Sequence, residues 1–189
     1  MSSSLGQERH ATGWQRFGEV YGEYGATAEV TLAMHMRHTP GTWRGDVLAR
    51  WHPALDGFSL PFGLSLGGRL EGSGANRALV LLGAHLGQGF DSRIGNIWTR
   101  LDLQMQSRPA QLTRPLELSL SGQVGLRTEG GGLGLLSLTH KRRNGTSALE
   151  FSPVIGHEIG RARTLVLGMT ARSSSPGIAS VQLSLWSQF

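Results

Sequence analysis

At 189 residues the chain has the length of one domain. It has no cysteine, which excludes disulfides and thiolate chemistry, and no run of eighteen or more apolar residues, which excludes a transmembrane helix. The net charge of +5 rests on arginine, since Lys141 is the single lysine, and the arginines are scattered singly apart from Lys141-Arg142-Arg143. No nucleic-acid partner is expected from that distribution. Glycine, at 28 residues, is about twice the ordinary usage of ~7%, which disfavours helices and favours a turn-rich all-β protein.

Residues 1–13 are small, polar and unpatterned, and read as a loop or tail. They hold no apolar stretch of the kind that marks a signal peptide, so any such signal has been removed or lies upstream of Met1. From Trp14 to Phe189 the chain reads as a single domain of alternating segments. Trp14–Tyr24 is the first. In Ala28–His38, Val30, Leu32, Met34 and Met36 share one face, and Thr39-Pro40-Gly41 is a turn signal. Trp43–His52 sets Val47, Ala49 and Trp51 against Arg44, Asp46 and Arg50.

Gly57–Glu71 alternates most clearly. Phe58, Leu60, Phe62, Leu64, Leu66 and Leu70 oppose Ser59, Gly63, Ser65, Arg69 and Glu71. Arg77–Gly87 follows, then a loop at 88–95. Asn96–Gln106 sets Leu101 and Leu103 against Arg100 and Asp102. Leu116–Arg127 sets Leu118, Leu120 and Val124 against Glu117, Gln123 and Arg127. Leu133–His140, Ala148–Ile159 (with Glu150), Arg163–Arg172 (with Leu165 and Leu167 against Arg172) and a terminal segment complete the series. Asn144-Gly145 and Pro176-Gly177 supply hairpin signals. No window shows helical periodicity.

In the last twelve residues, Val181, Leu183, Leu185 and Phe189 share a face, with Ser180, Gln182, Ser184 and Trp186 on the other. That ending resembles the C-terminal strand of bacterial outer-membrane β-barrels, with Ser187 departing from the apolar residue usual at its position. The resemblance implies that Val181, Leu183, Leu185, Trp186 and Phe189 form a signal read by the barrel-assembly machinery. The run Phe17-Gly18-Glu19-Val20-Tyr21-Gly22-Glu23-Tyr24-Gly25-Ala26-Thr27 is similar to the second strand and first periplasmic turn of a group of small proteobacterial outer-membrane barrels. Members of that group are assigned to transport or to phenol degradation (MetA-pathway). The group implies a strand upstream of this point, and uptake of small hydrophobic compounds.

The expected fold is an all-β, antiparallel, up-and-down transmembrane barrel of about ten to twelve strands. Eleven segments of eight to fifteen residues are legible. Single-chain outer-membrane barrels have even counts, so a segment is split, merged or missing; the missing-strand reading puts the first strand upstream of Met1. In hydrocarbon every backbone amide must be paired, which a sheet achieves only by closing. Leu32, Met34, Phe58, Leu60, Phe62, Leu64, Leu66, Leu118, Leu120, Val124, Leu165 and Leu167 are then expected to face lipid. Arg37, Arg50, Arg69, Glu71, Arg100, Asp102, Glu117, Gln123, Arg127, Glu150 and Arg172 are expected to face a lumen. A soluble lipocalin-like barrel inverts the same alternation. Strand length and Phe189 favour the membrane form, and with it the bacterial outer membrane.

Catalytic patterns are sparse. A serine activated by histidine on one strand calls for His-x-Ser, which does not occur, so no enzyme is expected. His35-x-x-His38 puts two imidazoles on opposite faces, so no metal site or cofactor is expected either. The expected function is a narrow channel or uptake pore for a small solute. The expected partners are outer-membrane lipids, lipopolysaccharide and the assembly machinery. A structural or adhesive barrel with a filled lumen, and a lipid-modifying enzyme, stay open as alternatives.

Overall fold

The computed structural model describes residues 1–10, 13–54, 61–72, 76–113, 115–160 and 162–187. Among them twelve antiparallel strands close into one barrel. They are β1 (Ser2–His10), β2 (Gly13–Gly25), β3 (Val30–Thr39), β4 (Thr42–Trp51), β5 (Phe62–Gly72) and β6 (Asn76–Ser92). The second half comprises β7 (Gly95–Ser107), β8 (Glu117–Arg127), β9 (Gly132–Arg143), β10 (Thr146–Gly160), β11 (Arg163–Arg172) and β12 (Ser175–Ser187). Each strand pairs with its neighbours in sequence, and β1 pairs with β12 to close the ring. The helical content of the described residues is one 3-10 turn, Pro109–Gln111.

Three expectations change. Residues 2–10 are a strand rather than a tail, and the twelfth strand therefore lies inside the chain rather than upstream of Met1. The reason the pattern hides it is visible in the register. Pairing with β2 and β12 sends Ser3, Leu5, Gln7 and Arg9 outward and Ser4, Gly6 and Glu8 inward, so neither face of β1 is consistently apolar. The ladder is set by backbone groups, which carry no hydropathy signal. The span 88–95 is mostly strand: β6 continues to Ser92 and turns at 93–94. Pro176-Gly177 lies within β12, beside a register shift opposite Thr170–Arg172, and the turn falls at 173–174. The long segment from Gly57 starts, in its described part, at Phe62; Phe58 and Leu60 lie outside the described residues.

The two faces of the sheet differ sharply. Outward positions are apolar and exposed, including Leu32 (45%), Leu66 (60%), Leu103 (45%), Leu138 (49%) and Leu183 (51%). Aromatic residues sit near both rims: Trp14 and Trp43 at one, and Tyr24, Trp51 and Phe90 at the rim that carries the chain ends. Trp43 and Trp51 are eight residues apart on β4, about 27 Å along the strand at ~3.4 Å per residue. A strand tilt of ~40° reduces this to about 20 Å of height, close to the ~25 Å apolar band of a membrane barrel. Nine of the eleven connections have two to four residues; the longer ones are 52–61 and 108–116.

At the seam, Met1 joins the ring through its ammonium, which donates to the Ser187 carbonyl (2.8 Å), and its carbonyl, which accepts from the Ser187 amide (2.7 Å). Gly6 is fixed by packing: a Cβ there would stand 2.5 Å from both the Phe17 ring and the Val181 carbonyl. Deleting residues 2–10 exposes unpaired edges on β2 and β12. The expected result is loss of the compact, heat-modifiable band on an unboiled gel, which the full chain gives.

Candidate functional site

The inward face carries the polar side chains, and they pair with one another around the wall. Toward the rim opposite the chain ends, Arg37 on β3 reaches Glu8 on β1 and lies over the Phe17 ring at 4.2 Å. Arg172 on β11 contacts the same Glu8 (3.7 Å) and donates through Nε to Glu150 Oε1 (2.8 Å). Lys141 Nζ takes the other Glu150 oxygen at 2.6 Å. An ionic chain thus runs Arg37–Glu8–Arg172–Glu150–Lys141, with Glu117 and Arg143 in looser contact at 4.0 Å.

A second network occupies mid-height on the β3–β7 side. Asp46 (5% exposed) accepts from Arg69 Nε at 2.7 Å and from Arg69 Nη2 at 3.0 Å. The same guanidinium reaches past β6 to donate to Gln106 Oε1 on β7 at 2.7 Å. His35 lies 3.5 Å from both Asp46 and Glu19. Next to this network Ala33, Leu48 and Leu81 pack inside the barrel, with Tyr21 against them. Arg69 therefore spans part of the interior as a fixed strut, its charge met by a two-pronged carboxylate and a neutral acceptor.

These groups divide the interior. A cavity of about 800 Å³ opens toward the far rim, and six cationic side chains (Arg37, Arg44, Arg69, Lys141, Arg143, Arg172) and four acidic ones (Glu8, Glu71, Glu117, Glu150) line it. A smaller one of about 260 Å³ opens toward the rim with the chain ends, lined among others by Glu23, Arg50, His52, His85 and Arg100. Arg50 pairs with Glu23, which also accepts from the Tyr21 hydroxyl. Asp102 accepts from Arg100 Nε (2.8 Å) and binds His85. Arg127 and Glu158 are 3.6 Å apart near the same rim.

Of the residues expected in the lumen, Arg37, Arg69, Glu71, Glu117, Glu150 and Arg172 thus line the larger cavity, and Arg50 and Arg100 the smaller. Gln123 is half-buried, directly opposite Arg100 in the β7–β8 register. Of those expected to face lipid, Met34, Leu64, Leu118, Leu120, Val124, Leu165 and Leu167 are 40–51% exposed, and Phe62 is half-buried. In the terminal strand Val181, Leu185 and Trp186 are half-buried, and Phe189 lies outside the described residues. Glu8, Asp46, Gln106 and Lys141 are not among the residues expected in the lumen. Glu8 sits in the supposed tail; the others share the polar face of strands already assigned, and an i±2 extension from Arg44, Gln104 and Thr139 finds them.

The same reading looked for serine two residues from histidine on a single strand. The contact that exists runs between strands: His85 Nε2 on β6 lies 3.0 Å from Ser65 Oγ on β5. Adjacent strands bring diagonal side chains on one face within reach, and no single-strand spacing encodes that.

No protein-family model matches the sequence, and no curated protein matches it. The fold is similar to that of solved outer-membrane proteins. The KdgM porin superposes with a TM-score of 0.67 at 11% identity, covering 100% of this chain and 99% of that one. A structure of the KdgM porin in complex with disordered oligogalacturonate gives 0.63 at 11% identity over the same shares. The NanC porin gives 0.66 at 11% identity, again over 100% of this chain and 99% of that chain. The chain, a closed barrel of twelve strands, shares the fold of these porins.

Proposed function

We propose that the chain is an outer-membrane channel of the porin type that passes small anionic solutes. The observation that carries the reading is the division of the sheet into an exposed apolar outer face with aromatic rims and a charged inner face. An arginine on the lipid face at mid-height costs roughly 2–4 kcal/mol; Arg37, Arg50, Arg69, Arg100 and Arg172 all belong to the inner networks instead. The excess of cations over carboxylates around the larger cavity supports anion preference, through charge-assisted pairing with carboxylates or phosphates. The likeness of the fold to the KdgM porin, which has a structure with an acidic oligosaccharide, supports the same solute class. In this reading the outward residues contact membrane lipid, lipopolysaccharide meets the outer rim, and the terminal strand through Phe189 is read by the assembly machinery.

A second reading, a structural barrel with a filled lumen, is favoured by the Arg69 strut and the apolar cluster beside it. Conductance separates the two. Refolded protein in a planar bilayer is expected to give small single-channel steps, with a reversal potential in a salt gradient that reports anion selectivity. Absence of current at every voltage assigns the filled barrel instead.

The strut itself makes unequal demands. Replacing Arg69 by Ala leaves Asp46 with His35 and Arg44 nearby, at 3.5 and 3.8 Å. This variant is expected to fold and to conduct more than the parent. Replacing Asp46 by Ala leaves the Arg69 guanidinium without its bidentate partner and is expected to cost roughly 3–5 kcal/mol, read as a lower urea midpoint in detergent. For the terminal signal, Phe189→Ser is expected to lower the amount of assembled barrel in cells while leaving refolding in vitro intact.

A further inference from the structure

Beside the smaller cavity, whose lining His85 reaches, lies an arrangement that passage of a solute does not use. Ser65, His85 and Asp102 stand on three consecutive strands, β5, β6 and β7. His85 is directly opposite Asp102 in register, and Ser65 is opposite Gly83, one diagonal step from His85. His85 Nδ1 is hydrogen-bonded to Asp102 Oδ1, and His85 Nε2 lies 3.0 Å from Ser65 Oγ. The carboxylate only accepts, so Nδ1 carries the proton and Nε2 is left as the acceptor for the serine hydroxyl. Arg100 reaches the same Asp102 oxygen, through Nε at 2.8 Å and Nη2 at 2.7 Å, and its Nη2 lies 3.4 Å from His85 Nδ1.

Ser65 is buried (7% exposed) and meets the cavity through His85, which lines it. Gly83 has no side chain, and a Cβ there would stand 2.4 Å from Ser65 Oγ, so the hydroxyl reaches across to β6 because position 83 is bare. Gly63 and Gly87 are bare as well and line the 260 Å³ cavity with His85. Arg50, also in that lining, is directly opposite Ser65 in the β4–β5 register. Its Nη1 is held by Glu23, and its buried Nε has no hydrogen-bond partner. That N–H is an unpaired donor on the strand beside the nucleophile.

We propose that Ser65, His85 and Asp102 form a nucleophilic relay that hydrolyses short-chain acyl esters inside the barrel. Serine, histidine and a carboxylate in this order of contacts are recognised by geometry and roles on any fold. Ser65 Oγ attacks the ester carbonyl as its proton passes to His85 Nε2. The bond to the alcohol oxygen breaks, and the alcohol leaves with that proton. Water then attacks the acyl-Ser65, gives one proton to His85, and releases the carboxylic acid as Ser65 regains the proton. Ser65 and His85 are the catalytic residues, and Asp102 is a positioning residue that fixes the tautomer and orientation of His85. The cavity is smaller than the ~300–1,000 Å³ of drug-sized sites, which restricts the acyl group to a few carbons. The inference stands whether or not the barrel conducts.

The test uses the refolded full chain in detergent, with folding of every variant checked by heat-modifiable migration. A fluorophosphonate probe is expected to add covalently to Ser65, located by mass on the peptide that carries it, with no labelling of Ser65→Ala. Turnover of p-nitrophenyl acetate is expected to fall roughly a hundredfold in Ser65→Ala and in His85→Ala. Asp102→Asn is expected to lower kcat with KM unchanged, a split that general loosening of the barrel does not give. An unlabelled Ser65 in the folded parent, or Ser65→Ala turning the ester over at the parent's rate, overturns the proposal.

Discussion

The seven cross-strand pairs that join Ser2–Glu8 to Ser180–Trp186 turn a twelve-stranded ribbon into a cylinder. Without them β2 and β12 end in rows of unpaired amides and carbonyls. In hydrocarbon each such group costs several kcal/mol, so an open sheet has no stable place there. Closure also decides what the side chains can do. Once the sheet is a ring, one face has no solvent except what the interior admits, and charged groups on that face must find each other. The Arg37–Glu8–Arg172–Glu150–Lys141 chain exists because Glu8, on the closing strand, stands between β3 and β11. Removing β1 would open the ring and also take away the carboxylate shared by two arginines.

Most of the architecture was legible because a two-residue period is strong wherever one face is apolar. The β5 run from Phe62 to Gly72 and the β8 run from Glu117 to Arg127 show it plainly: leucines alternate with serine, glutamate and arginine. The period fails where the outward residues are themselves polar. Ser3, Gln7 and Arg9 leave only Leu5 to mark β1, so a strand fixed entirely by main-chain pairing reads as a tail. The turn at Pro176-Gly177 misled for a related reason. A proline–glycine pair marks a turn by its local preference, but here it is absorbed where the β11–β12 register shifts.

The interior was legible as a surface and not as a set of contacts. Alternation assigns Arg69, Asp102 and Glu150 to one face, but it says nothing about which of them meet. Arg69 is bound to Asp46 one strand away and to Gln106 two strands away, on opposite flanks. Ser65 meets His85 on a diagonal that depends on the β5–β6 register and on Gly83 having no side chain. Such pairings come from strand register and barrel stagger, which emerge only when the whole ring is assembled. A single sequence read strand by strand therefore yields the polar face and misses its circuitry.

Short connections carry a last implication. Nine of the eleven links between strands have only two to four residues, so one link at each rim, 52–61 and 108–116, is long enough to reach over a mouth. In the channel proposed above, the wall elsewhere offers only its own side chains as control, and these exchange rotamers in picoseconds to nanoseconds when unhindered, against microseconds to milliseconds for a swinging lid. Motion that fast averages out in an electrical recording, so control by the wall alone would give a steady mean level in place of long, all-or-none closures.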